Sequence, residues 1–278
     1  MGKISAEAKK HYFERIKFYK QDAEKIMQRE KNLKVLVDKE EEGFEYQLLA
    51  LAEERLNLAS IYVLMNNISL SYLGIKNDAF LNDARKSCYQ SVIYLENVVT
   101  KYVDVPFSEY EDEIMKIEGF SQEKRYGLIQ KLGYTIEAVE EAYGENSKWR
   151  WSFVELEGRF TAVAKNILNL KKIFTGLDPR TDGYQFWVSH LNLVKKLLQK
   201  SADRYREKYE LSTLRIDDFK QAISFLSALR RIHILMGETE QSEIVKKKIE
   251  VWKQKMESDD KRKETKHSAP AGSAENST

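Results

Sequence analysis

An all-α fold follows from three features of the sequence: two long heptad rows of apolar residues, a scarcity of proline, and no period-2 alternation bounded by turn signals. The first row reads Tyr12, Ile16, Tyr19, Ala23, Ile26, Glu30, Leu33, Val37. The second reads Trp149, Phe153, Leu156, Phe160, Val163, Ile167, Leu170, Phe174. Both alternate steps of four and three, which keeps one side of a helix apolar for about 25 residues, or about 38 Å at about 1.5 Å per residue. Such a stripe has to be buried against other helices. A period of 3.5 favours shallow antiparallel crossings, so the expected architecture is one or more elongated antiparallel bundles of about nine long helices, with a disordered C-terminal tail.

The elements follow from caps and breakers. Ser5 is a plausible N-cap for a helix reaching Val37, and Gly43 interrupts it after an acidic run. A second helix spans Phe44 to Leu73, with Phe44, Leu48, Leu51, Leu58, Met65 and Tyr72 on one face, and stops at Gly74 as a left-handed C′ residue would. Asn77 or Asp78 caps the third, which continues to about Tyr102. The segment around Pro106 is a loop, followed by a short helical piece ending at Gly119. Ser121 caps a helix to Tyr143 that contains Gly127 and Gly133, each costing about 1 kcal/mol relative to Ala. Close approach of a neighbouring helix, or a kink, is the reason such glycines are kept. Ser147 caps a helix expected to carry the second heptad row to Phe174. Three more helices are expected at about Tyr184–Tyr209, Asp217–Met236 and Thr239–Met256.

Beyond Ser258 the chain turns to Asp, Lys, Ser, Ala, Gly and Pro without apolar residues, which reads as a disordered tail. The expected division is an N-terminal long-helix sub-bundle at 1–105, a C-terminal one at 106–258 and the tail at 259–278.

Apolar residues make up 42% of the chain, ample for a core, and the 32% charged fraction suits long helices with wide solvent faces. Forty-six basic against 44 acidic residues leave a net charge of +2, so nucleic acid is not an expected partner. No apolar run approaches the roughly 18 residues of a membrane span, so membrane insertion is not expected either. Cys88 is the single cysteine and sits in the helical stripe Leu81, Ala84, Cys88, Val92, Leu95, Val99, which marks it as a packing residue. The segment Met1–Ala6 lacks the apolar core of a signal peptide. The expected location is the cytoplasm, or the periplasm if an export signal was removed before residue 1.

Catalytic chemistry finds little support. His11, His190, His233 and His267 form no local His-x-x-x-His or Glu-x-x-His pair, and His190 and His233 sit beside apolar stripes where a hydrogen-bonded packing role is expected. Asp178-Pro179-Arg180-Thr181-Asp182-Gly183 resembles the start of a calcium loop, but Arg180 and Ser189 stand where oxygen donors are required, so it reads as a turn. Adjacent acids such as Glu53-Glu54 point about 100° apart on a helix and cannot act as a pair. No phosphate-cradling glycine loop or nucleophile elbow occurs. No catalytic residue, cofactor or metal site is expected, and the function class is protein interaction.

The unusual local feature is Lys148-Trp149-Arg150-Trp151-Ser152-Phe153. Trp149 and Phe153 belong to the heptad row, while Trp151 lies about 200° round the helix from Trp149. Another helix of the same chain, a partner protein or a nucleic-acid base must cover it, or it stays wet. Lys148, Arg150 and Trp151 are the candidate protein-contact residues, because Trp and Arg are enriched at interface centres.

Helix pairs joined by glycine turns are similar to tetratricopeptide hairpins. Leu226 and Leu229 fall where that repeat carries large apolar residues, but Ser242 and Lys246 replace its small and aromatic positions. No 34-residue period runs through the chain. Residues 5–258 also resemble the flagellar coiling proteins of spirochaetes, through their size, Lys/Glu/Tyr-rich long helices, the Lys148–Phe153 aromatic knot and the polar tail. That resemblance implies a non-enzymatic sheath subunit of the periplasmic flagellar filament. Its partners would be filament or sheath subunits, or copies of itself, and it would take part in curvature and motility. The tetratricopeptide likeness implies instead a cytosolic adaptor binding a peptide segment of a partner.

Overall fold

The computed structural model describes residues 4–39 and 42–268, with side chains as far as Arg262. Among the described residues there are ten α-helices and no strand; eight are long, of 17 to 32 residues, and two are short. The chain divides into two compact units, residues 1–194 and 195–278.

In the first unit, α1 (Ala6–Val37) opens where Ser5 Oγ accepts the Ala8 N–H at 3.0 Å. Its row buries Ile16, Ala23 and Ile26 against α2 (Phe44–Leu73): Ile16 meets Met65 and Ile68, while Ala23 and Ile26 meet Leu58, so the two helices form an antiparallel hairpin. The break in the row at Glu30 is answered by charge. Its carboxylate accepts from Arg55 at 2.6 Å, Lys34 at 2.8 Å and Tyr94 at 3.0 Å. Burial pushes the Glu30 carboxyl upward, but these three donors outweigh it and hold the group below its ordinary range. Gly43 (φ +84°) and Gly74 (φ +65°) supply the left-handed turns at either end of α2.

Asn77 caps α3 (Asp78–Val98) through Phe80 N–H, and Ser91 Oγ bonds the Ala52 carbonyl across the α2–α3 seam at 2.9 Å. Cys88 of α3 lies fully buried, and burial pushes its thiol up to about 12.

After α4 (Glu111–Lys116), α5 (Gln122–Tyr143) and α6 (Arg150–Asn166) pack antiparallel, with Phe160 over Gly133 and Tyr143 edge-on to Phe153. On its other side α6 runs parallel to α3, joined by Tyr89 to Ser152 and by the Arg159–Glu96 ion pair.

The second heptad row does not continue as one helix. It stops at Asn166, turns, and resumes as the short α7 (Ile173–Gly176), leaving Phe174 61% exposed. Polar side chains cause the break. Asn166 Nδ2 donates to the Thr100 and Tyr102 carbonyls at 2.6 and 3.0 Å, and Asn169 Oδ1 caps the next turn by accepting from Lys171 and Lys172 N–H. Lys165 Nζ also reaches the Val105 carbonyl at 3.3 Å. The loop around Pro106 is thus fastened to α6, and the sequence-based boundary at 105/106 falls inside the first unit. The Asp178 segment is a turn, held by Asp178 Oδ1 accepting from Arg180 N–H at 3.0 Å.

The second unit begins at Lys195 within α8 (Tyr184–Lys208), passes a π-helical turn at Tyr209–Thr213, and adds α9 (Ile216–Leu235) and α10 (Thr239–Ser268). Its core stacks Tyr209 on Phe219 and Phe219 on Trp252, with ring centroids 4.8 and 6.0 Å apart. His233 Nδ1 and Lys195 Nζ share the Glu238 carboxylate, each at 2.5 Å, which gives His233 its hydrogen-bonded place.

The last helix runs twelve residues past Met256, into the stretch expected to be a disordered tail. Asp259 there pairs with Lys255 at 3.1 Å and accepts from Tyr209 Oη at 3.0 Å, which ties α10 to its unit just past Met256 by polar contacts. Residues 269–278 of that expected tail lie outside the described residues.

Candidate interaction surface

The Lys148–Trp151 segment forms the start of α6, beside α3. Lys148 and Arg150 are exposed and Trp151 is half-buried, with the Arg150 guanidinium 4.7 Å from its ring centroid. Trp149, expected in the buried row, is instead the N-cap residue and is also half-buried. Ser147 Oγ accepts its N–H at 3.2 Å.

Arg85 on α3 lies 4.0 Å from the Trp149 ring centroid, with Lys148 at 5.5 Å. Arg85 also lies 5.8 Å from the Tyr89 ring, which Arg159 approaches at the same distance. The seam between α3 and α6 thus carries cations alternating with rings from Lys148 through Trp149, Arg85 and Tyr89 to Arg159. Each such contact contributes about 0.5–1 kcal/mol at an exposed site. The sequence signalled Lys148, Arg150 and Trp151. Arg85 escaped it, because nothing in a helical pattern marks which distant guanidinium will meet an indole.

A second open feature is a groove of about 450 Å³ between α2 and α5. It is lined by the apolar Leu49, Ala50, Phe120 and Leu128 with Tyr46 and Gly127, and by the charged Glu53, Lys124 and Lys131; Leu49 and Leu128 are buried, whereas Gly127 and Lys124 are exposed. A Cβ at Gly127 would meet nothing within 4 Å, whereas at Gly133, two turns on, the Phe160 ring is already 3.1 Å away. One interior glycine of α5 is therefore explained by packing within the chain and the other is not.

The buried titratable groups of the first unit are structural. Arg125 Nε, Nη1 and Nη2 donate to the carbonyls of Phe120, Ile167 and Ile117 at 2.7, 2.9 and 2.7 Å, and burial lowers its pKa to about 10. His190 Nε2 donates to the Ala164 carbonyl at 2.9 Å, and its Nδ1 accepts from Gln122 at 2.8 Å. Burial drives its pKa down to about 4, with the Arg125 charge adding to the effect. A fully buried neutral imidazole with both nitrogens bonded inside the protein meets no solute. Among the described residues no group of three or more His, Cys, Asp or Glu converges as a metal site, and no helix is long and apolar enough to cross a membrane.

Fold and surface together define an all-α helical-bundle protein. The chain belongs to the TP0443 family, a Treponema-derived family whose model matches residues 8–260. This membership is consistent with a spirochaetal protein. No curated protein and no solved structure matches the chain.

Proposed function

We propose that this protein is a non-enzymatic structural subunit that works by lateral contacts between helices, and that the surface it coats is a spirochaetal periplasmic flagellar filament. The observation that carries the contact reading is the α6 start, where Trp151 is only half covered and Arg150 lies over its ring. An amphipathic ring with a neighbouring cation, set at the surface of a rigid helix, is the composition that dominates binding energy at protein interfaces. The filament as partner and the periplasm as location are taken from the likeness of residues 5–258 to flagellar coiling proteins; the Treponema-derived family is consistent with a spirochaetal protein.

The test is affinity isolation of the tagged protein from its native cell, with copurifying proteins quantified by mass spectrometry, for the wild type and Trp151→Ala. Filament proteins recovered in amounts comparable to the bait, and lost in the variant, are the expected result. Recovery of one soluble client without filament protein would overturn the sheath reading and restore the tetratricopeptide-like adaptor in the cytoplasm. Retention of partners by a folded Trp151→Ala variant would remove Trp151 from the contact.

A further inference from the structure

We infer that the groove between α2 and α5 receives the exposed flank of α1 from a second copy of this chain, with Phe18 seated over Gly127. The inference builds on the assembly reading above but stands on different residues. Its first support is the groove itself. Gly127 weakens α5 as any interior glycine does, and among the described residues no neighbouring element comes within 4 Å of where its side chain would begin. Something that approaches α5 closely from outside would use it.

The second support is the unpartnered face of α1. Within the chain α1 packs on α2 through Ile16, Ala23 and Ile26, and the flank of the helix beside that face carries Phe18 with 67% of its surface exposed. Glu14 and Asp22 lie one turn before and after Phe18, at i−4 and i+4, so the three side chains share one stripe: carboxylate, phenyl, carboxylate. On α5, Lys124, Gly127 and Lys131 share a stripe at i, i+3 and i+7: cation, gap, cation.

The lengths agree. Glu14 to Asp22 spans about 12 Å and Lys124 to Lys131 about 10 Å at about 1.5 Å per residue. A phenyl ring set on the glycine therefore brings both carboxylates within reach of both ammonium groups.

The present partners of these charges are exchangeable. Lys131 holds Glu53 at 3.0 Å, Asp22 holds Lys25 at 2.9 Å and Glu14 stands 4.0 Å from Lys10, all at the surface where such pairs contribute little. Among the described residues Lys124 has no ion pair at all, and it lines the groove, exposed. Tyr46 and Phe120 add their rings to the groove's lining. Knob and groove are different surfaces of one chain, so the contact is heterologous and propagates into a row of subunits unless its rotation closes a ring.

The experiment is sedimentation velocity on the purified full chain from micromolar to near-millimolar concentration. Wild type is compared with Gly127→Trp, which fills the groove, and Phe18→Glu, which replaces the knob with a third carboxylate. Circular dichroism and thermal melts establish that each variant is folded. Wild type is expected to grow beyond monomer with concentration, and each variant to associate at least about ten-fold more weakly. An equimolar mixture of the two variants should regain a one-to-one complex, because one supplies an intact knob and the other an intact groove.

Should a variant fail to fold, Lys124→Glu is expected to weaken association and the added change Asp22→Lys to recover it. A wild type that stays monomeric throughout, variants that associate like wild type, or a mixture that forms no complex would each overturn the inference. Such a failure leaves the Trp151-dependent recovery of filament protein untouched, whereas loss of that recovery with self-association intact would sink the coat reading alone.

Discussion

The α1–α2 hairpin and the junction at the end of α6 begin from the same sequence device, a heptad row, and end differently. In the hairpin the row runs its full length. One polar intrusion, Glu30, is met by Arg55, Lys34 and Tyr94, and the helix keeps an outer face that nothing in the chain covers. At the α6 junction the row is cut at Asn166, and buried side-chain donors take over. Asn166, Arg125 and His190 bond six backbone carbonyls around the broken helices and the Pro106 loop. Apolar rows thus build edges that can meet another protein, and the polar junction builds an interior that cannot.

The largest expected effect breaks the junction. Arg125→Leu strands the Phe120 and Ile167 carbonyls, each costing about 1–3 kcal/mol when left unmade, and leaves Ile117 only its bond from Phe120 N–H, so a loss of roughly 4 kcal/mol is expected. Urea denaturation reads it as a lower midpoint at unchanged slope. A loss under about 1 kcal/mol would mean that water replaces the guanidinium and that the junction is wetter than described.

Next comes acid. The folded pKa of His190, about 4, lies below the ordinary 6.5, so the unfolded chain binds a proton that the folded chain refuses. Its neutral form costs nothing above pH 6.5, and stability is lost progressively as pH falls from 6.5 towards 4, by roughly 3 kcal/mol in all. His190→Gln should flatten that part of the stability profile. An unchanged profile would show that His190 is not the group responsible.

The smallest effect separates the two glycines of α5. Gly127→Ala should stabilise the isolated chain by up to about 1 kcal/mol, since the new methyl meets nothing. Gly133→Ala must push the Phe160 ring from 3.1 Å and should gain less or lose outright. Equal gains in the thermal midpoints would abolish the distinction on which the groove rests.

Much of this was legible in the sequence wherever one local signal suffices. Ser5, Asn77 and Ser121 accept the N–H bonds their positions announce, and Gly74 adopts the left-handed conformation of a helix stop. The first heptad row packs as its spacing requires, with Ile16, Ala23, Ile26 and Glu30 buried and Tyr12, Tyr19, Leu33 and Val37 half-buried. The second was not legible past Asn166, because a periodicity count registers apolar positions and ignores a side-chain amide whose partners, Thr100 and Tyr102, are far away in the chain. The extension of α10 was missed for a related reason. Lys, Glu and Asp without apolar residues read as unburied, yet such residues continue a helix readily, and Asp259 finds Tyr209 and Lys255. For the surface, Lys148, Arg150 and Trp151 announced themselves by type, but the partnership of Trp149 with Arg85 did not. Gly127 was visible as an oddity; that the space beside it is open depends on where α2 lies.

Cys88 gives this molecule a practical property. The chain's only thiol is fully buried on α3 and stays protonated, so it resists maleimides and methanethiosulfonates under native conditions. Any cysteine introduced on the surface therefore becomes the sole reactive one without first deleting the native residue. A spin label or fluorophore at an exposed position beside the knob or the groove, such as Gln21 or Glu123, would report distances between neighbouring copies while leaving Phe18 and Gly127 in place.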